Sequence, residues 1–270
     1  TLGRFLKMIK KNTSAQKGLS GTSPARHMLN KVPINTLDVT ISCPGYVQSD
    51  TVAHCGDSLA GNFINSITLT DIYSTWTVNR ALYKKVGREV REGLNDIRRT
   101  LPFPLLAINT DSGSEFLNTP VVNLWQEEKI KFSRSRPYKK NDNCYVEQKN
   151  FTHVRELFGY QRIEAKNLKA AMNDIYISCW NPFQNFFLPT FKLKGKIRIG
   201  ARIKKTYDKP QTPYQRLMES GHLSEEAKIK LSEQKRSLNP FHLKEQLELK
   251  LQSFFKELGK YNEGKGREKI

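Results

Sequence analysis

Cysteine is scarce in these 270 residues: Cys43, Cys55, Cys144 and Cys179 are widely spread, and no two stand as C-x-x-C. Neither a disulfide framework nor a zinc site is expected, and the four read as free thiols of a reducing cytoplasm. No apolar run is long enough to cross a bilayer, so no membrane association is expected. Arg4, Lys7, Lys10 and Lys11 sit near the N-terminus without the apolar stretch of a secretory signal. No internal repeat stands out. Acid is also in short supply: 26 Asp and Glu face 45 Lys and Arg, a formal charge of +19. Such an excess favours a polyanionic partner, and nucleic acid is the natural one.

Residues 1–37 contain seven basic residues and no acidic one, broken by Gly, Ser and Pro. They read as a basic arm over 1–43, a tail or the remnant of an N-terminal module. From Tyr46 to His54 side chains alternate, with Gln48, Asp50 and Val52 on one side of a strand. Phe63–Thr70 and Trp76–Tyr83 continue as an antiparallel meander. Val86, Val90, Leu94, Ile97 and Leu101 are spaced 4, 4, 3 and 4, one stripe of a helix that Pro102 and Pro104 end. Leu105–Ile108 reads as a doubly buried strand, with Asp111 just past its end. Thr119-Pro120 reads as the cap and first residue of a helix, and Ile130–Ser135 as a strand. Asn141, Asp142 or Asn143 is placed to cap a helix whose inner face would be Val146, Phe151, Val154 and Phe158. A further helix is expected over about Ala165–Trp180. The order β-β-β-α-β-α-β-α implies a mixed sheet with helices on its faces.

Beyond this core, Phe191–Lys204 alternates apolar residues with Lys192, Lys194, Lys196, Arg198, Arg202 and Lys204. A strand there, or two joined near a glycine, would put six cations on one face. Six neutralised phosphates would give a log–log salt slope of about −5. Asn239-Pro240 reads as the start of a helix striped by Leu243, Leu247, Leu251, Phe254 and Leu258. That stripe has two possible destinations, the chain's own core or another subunit.

Three carboxylates stand out. Asp111 opens Asp111-Ser112-Gly113-Ser114-Glu115-Phe116, and Glu147 lies 36 positions later in a helix's first turn. Asp50 lies within a strand, where an unpaired charge is costly. Singly, Asp111 suits a turn and Glu147 suits a helix N-terminus. Together, a strand, the end of a neighbouring strand and a facing helix can converge on one point.

In this order the residues resemble the DDE transposases and retroviral-type integrases, and most closely bacterial insertion-sequence integrases of the integrase-catalytic-region type. The resemblance rests on Pro44-Gly45-Tyr46 leading to Asp50-Thr51-Val52, Ser58-Leu59-Ala60-Gly61, and Thr68-Leu69-Thr70-Asp71-Ile72. It continues through Asp111-x-Gly113-Ser114-Glu115-Phe116, the run from Arg134 to Asn143, and Val146-Glu147-Gln148-Lys149-Asn150. It extends from about Pro44 to Leu217. Gln48 and Asn109 stand where the family commonly carries acids, Ser49 where it has an apolar residue, and Ser112 where it has asparagine.

The resemblance implies an α/β fold: a ribonuclease-H-like mixed five-stranded sheet flanked by helices over 44–182. A basic β-containing extension over 183–220 and C-terminal helices over 221–270 would come after it. It implies a polynucleotidyl transferase that nicks DNA and transfers a strand during integration. Asp50, Asp111 and Glu147 would be catalytic and would hold Mg²⁺ (or Mn²⁺), two ions in all. Arg134, Arg136, Lys139 and Lys140 would join the six strand cations on DNA. Its partners would be element ends, target DNA and further copies of itself, on the nucleoid of a bacterial cytoplasm. Two other readings are a catalytically impaired DNA-binding relic of a transposase and a nuclease that cuts without joining.

Overall fold

In the computed structural model, which describes residues 28–34, 41–136 and 139–267, a five-stranded sheet forms the centre of the protein. Most of the basic arm expected over 1–43 lies outside the described residues. The strands are β1 (Tyr46–Ala53), β2 (Asn65–Asp71), β3 (Thr77–Leu82), β4 (Ala107–Thr110) and β5 (Lys131–Arg134), in the order β3-β2-β1-β4-β5. The first three are antiparallel neighbours, whereas β4 runs parallel to β1 and β5 parallel to β4. This is the ribonuclease-H-like mixed sheet expected from the sequence.

Alternation along the strands divides two cores. On one face Val47, Ile67, Leu69 and Val78 pack against α1 (Gly87–Thr100) and α2 (Thr119–Glu127), through Val90, Leu94, Ile97, Val121, Leu124 and Trp125. Fully burying each such aliphatic side chain contributes about 1.5–3 kcal/mol. On the other face Ile64 and Ala81 meet Leu157, Phe158, Met172 and Tyr176. Leu247, Leu251, Phe254 and Leu258 of the C-terminal helix (Pro240–Arg267) join them, so that stripe docks on the chain itself. Asn239 Oδ1 caps the helix by accepting the Phe241 N–H at 2.9 Å.

Several local expectations are corrected. The strand expected at Leu105–Ile108 begins at Ala107 and takes in Asn109 and Thr110; Leu106 is 41% exposed. Hydrophobicity marked the approach to the sheet, while backbone pairing with β1 set the strand. Asn118, not Thr119, caps α2, its Oδ1 accepting the Val121 N–H at 3.1 Å. Phe151, expected inside, is half exposed. The helix that starts as α3 (Cys144–Lys149) continues as a π-helical segment, Asn150–Arg155, in which the Glu156 N–H bonds the Phe151 carbonyl. Each wider turn rotates the residues beyond it, which brings His153 and Val154 inward and leaves Phe151 out. The helix expected to stop near Trp180 runs through a second π-helical segment (Ile175–Trp180) into Asn181–Phe187.

The outer edge of β3 is covered along its length, and the outer edge of β5 is met at Arg134. Asn173, Asn181 and Asn185 reach across to β3, each side-chain amide acting as a short mock strand. Asn185 accepts the Thr77 N–H (2.9 Å) and donates to the Thr77 carbonyl (2.7 Å). Asn181 does the same for Asn79, and Asn173 for Ala81. At β5, Ile34 forms a parallel bridge with Arg134, whose N–H donates to the Pro33 carbonyl. Covering an edge removes a template for unwanted pairing.

The alternating basic stretch forms a separate antiparallel hairpin, β6 (Leu193–Ile199) and β7 (Arg202–Tyr207), turning at Gly200 with φ 60°. Its register corrects the expected single cationic face. Lys196 pairs with Lys205, Arg198 with Ile203, and Ile199 with Arg202. Cross-strand partners share a face, so a two-residue turn sends the even-numbered residues of β7 to the side opposite those of β6. Lys196 and Arg198 therefore face one way, and Arg202 and Lys204 the other.

Candidate active site

Sheet register brings the two aspartates together. Ser49 of β1 pairs with Thr110, the last residue of β4, in parallel, so Asp50 on β1 and Asp111 just past the end of β4 reach the same level. Gln48 and Asp50 share a face, and both are hydrogen-bonded to the helix that carries Glu147. Asp50 Oδ2 accepts from Asn150 Nδ2 at 2.6 Å, while its Oδ1 accepts the Thr51 N–H at 2.7 Å. Asp111 Oδ1 accepts the Gly113 N–H at 3.0 Å.

The acids also act on one another electrostatically. Asp50 is raised to about 7, first by burial and then by the negative charge of Asp111. Asp111 is raised to about 6 by burial, then Glu115, with a smaller contribution from Glu147. Glu147, in the first turn of α3, is exposed yet within electrostatic reach of Asp111.

Glu115 belongs to the same cluster, though sequence reasoning gave it no role. It is buried, and its Oε1 accepts both the Thr51 hydroxyl and the Lys85 ammonium at 2.9 Å. Gly113 lies between it and Asp111: a Cβ there would stand 2.5 Å from Glu115 Oε2 and 2.9 Å from Asp111 Oδ1. The Asp-x-Gly-x-Glu spacing was a signal for Glu115. Lys85 comes from the loop before α1 and left no local signal.

Gln48 and Asn109, the two positions where an acid would be usual, build one structural device. They are partners in the β1–β4 register, and both side-chain amides donate to the Asp142 carbonyl, at 2.8 and 3.4 Å. Gln48 Oε1 accepts the N–H groups of Tyr145 and Val146, at 3.0 and 3.3 Å. The first turn of α3 is thus pinned to the sheet by side chains from the strands. The cap expected from Asn141, Asp142 or Asn143 is not made by the residue preceding α3: Asn143 forms no side-chain cap. The Asp142 carboxylate is instead clasped by Arg136 at 2.8 Å through two nitrogens, which holds it below the usual carboxylate range.

The oxygen-only donors of Asp50 and Asp111 fit a hard divalent cation. Among the described residues, no three His, Cys, Asp or Glu side chains stand in an arrangement ready to hold a metal ion. The fit is therefore of the aspartate pair, with Glu147 exposed on the neighbouring helix.

The basic residues divide into two groups. Arg134 donates to the carbonyls of Val32 and Leu29, Arg136 clasps Asp142, and Lys192 Nζ donates to the Tyr73 carbonyl at 2.7 Å. Those charges are engaged within the chain. Lys139, Lys194, Lys196, Arg198, Arg202 and Lys204 are exposed, and the side chain of Lys140 lies outside the described residues. Burial pushes the Cys144 thiol at the start of α3 up, while the charge of Lys196 on β6 acts on it in the opposite direction.

Among the described residues, no helix is long and apolar enough to cross a membrane. No family model matches the sequence. The chain is 38% identical over 218 residues to uncharacterized protein y4rM of Sinorhizobium fredii (strain NBRC 101917 / NGR234), covering 80% of this chain. It spans 61% of that relative's length. Among solved structures, it is similar to the catalytic core domain of BIV integrase, with a TM-score of 0.40 and 17% identity, over 66% of this chain and 96% of that one. It is also similar to a chain in the simian T-cell lymphotropic virus intasome in complex with PP2A regulatory subunit B56 gamma. There the TM-score is 0.37 and the identity 15%, over 56% of this chain and 50% of that one.

Proposed function

We propose that this chain is a DDE-type transposase or integrase, a polynucleotidyl transferase that nicks DNA and joins the resulting 3′-hydroxyl to target DNA. The observation that carries the reading is the placement of Asp50 on β1 level with Asp111, just past the end of the adjacent parallel strand β4, together with the hydrogen bonds that tie the helix carrying Glu147 to β1. These three carboxylates are the proposed ligands of Mg²⁺ or Mn²⁺. When bound, two such ions supply activation of the attacking oxygen and stabilisation of the leaving one. The chain's own part is to hold the acceptors: Asn150 and the Thr51 N–H orient Asp50, and the Gly113 N–H orients Asp111.

DNA is the proposed partner, through Lys139 and the hairpin cations Lys194, Lys196, Arg198, Arg202 and Lys204. A two-stranded ribbon with charge on both faces suits a duplex groove, where phosphates lie on either side. Two element ends must be brought together, so we include assembly of several copies in the proposal, acting in a bacterial cytoplasm.

The test is a strand-transfer assay in Mg²⁺ or Mn²⁺, using pre-cut duplexes taken from the DNA flanking the coding region. Joined products that vanish in Asp111→Asn and Glu147→Gln are expected. Cutting without joining would replace this reading with the nuclease. DNA binding unaltered by Glu147→Gln, with neither cutting nor joining in the wild type, would replace it with the relic.

A further inference from the structure

We infer that Lys85 is the built-in counter-cation of this site, a positioning residue whose ion pair with Glu115 sets how tightly Asp50 and Asp111 take a divalent cation. The inference rests on the metal-binding reading above. Lys85 Nζ lies 2.9 Å from Glu115 Oε1, with side-chain exposures of only 18% and 2%. An open pair such as Arg88–Glu92, exposed at 88% and 63%, contributes little by comparison. In a buried pair, removing either partner leaves an uncompensated charge behind.

The pair is tied to both aspartates. The Glu115 oxygen that takes Lys85 also takes the hydroxyl of Thr51, the neighbour of Asp50. The other Glu115 oxygen approaches Asp111 across Gly113. Lys85 acts on Asp50 and on Asp111 in the sense that favours their charged forms. One ammonium therefore stands against three carboxylates. Remove the ammonium and the cluster attracts an incoming cation more strongly. Neutralise Glu115 and the same ammonium faces the aspartates alone and repels it.

The two substitutions should therefore shift cation affinity in opposite directions, which mere bracing of the loop would not do. Mn²⁺ binding to the full chain, measured by calorimetry, tests this. Lys85→Met is expected to tighten binding by about tenfold or more, the effect of one charge about 6 Å from a divalent ion even at water's dielectric constant. Glu115→Gln should weaken it by a similar factor, and the double variant should return close to the wild type. Lys85→Gln should tighten binding like Lys85→Met, and it provides the test if Lys85→Met does not fold. Weaker or unchanged binding in a folded Lys85 variant overturns the inference. Wild-type protein without saturable Mn²⁺ binding that Asp111→Asn abolishes overturns the metal-binding reading, and the inference with it.

Discussion

Gln48 on β1 donates its side-chain amide to the carbonyl of Asp142 at 2.8 Å, across 94 positions of sequence. A central strand thereby fixes the start of the helix that carries Glu147. Gln48→Leu would leave that carbonyl and two helix N–H groups without this partner. The expected loss is about 1–3 kcal/mol for each buried group left unsatisfied. Urea unfolding measures it, and strand transfer should fall with it.

The aspartate pair makes the metal-free protein lose stability as pH rises from about 4 towards 7. The ordinary carboxylate value is 3.8, against about 7 for Asp50 and about 6 for Asp111 in the folded chain. Between those limits the folded state holds protons that the unfolded state has released. The contribution of these two groups to stability is thus full below about pH 4 and lost as pH rises towards 7. Asp111→Asn should flatten this dependence and raise stability near pH 7 in EDTA. Urea midpoints taken across the range decide it; a wild-type contribution that grows with pH would contradict the burial and repulsion argument.

Gly113 is required by crowding rather than by its backbone angles. In Gly113→Ala the new methyl would stand 2.5 Å from Glu115 Oε2, so the carboxylates must move apart. Overpacking of this kind typically costs about 1–3 kcal/mol. Mn²⁺ affinity should fall by at least tenfold if Asp111 is displaced, and titration of the variant checks it.

Removing Asn185 should uncover the edge of β3. Asn185→Leu loses both hydrogen bonds to Thr77 and leaves two buried backbone groups unpaired, at about 1–3 kcal/mol each. Hydrogen exchange should then show faster exchange at the Thr77 amide than at the Asn79 amide.

The hairpin prediction concerns salt. Lys196→Ala with Arg198→Ala, or Arg202→Ala with Lys204→Ala, should each flatten the log–log salt slope of DNA binding by about 1.8 if both residues meet phosphates. The exposed hairpin lies apart from both cores, so the thermal transition should stay in place. A slope that changes for one pair alone would assign contact to one face of the ribbon.

The parts of the fold that local pattern controls were legible in the sequence. Periods of two and of 3.6 located β1, β2, β3 and α1, and Asn239-Pro240 marked the last helix. The aspartates and Glu147 were legible as residue types in order. What escaped depends on pairing between distant segments. The Leu105–Ile108 run is apolar throughout, yet only Ala107 and Ile108 belong to the strand, because the register with β1 decides which residues bond. The hairpin cations alternate perfectly along the chain, yet the turn reverses their sides. Lys85 meets Glu115 across 30 positions, and no local spacing announces such a meeting. Gln48 and Asn109 stood out as departures from a pattern, and their shared grip on Asp142 required the fold to be seen.

Three asparagines occupy the outer edge of β3, and Ile34 bridges to the outer strand β5. The β3 edge of the central sheet therefore has little room to grow by strand addition from another molecule. Among the described residues, the hairpin is the other sheet, and β6 and β7 pair only with each other. Growth of a sheet between copies of this protein from the hairpin would begin on the same ribbon proposed to meet DNA, so strand exchange and DNA occupancy would compete for one surface.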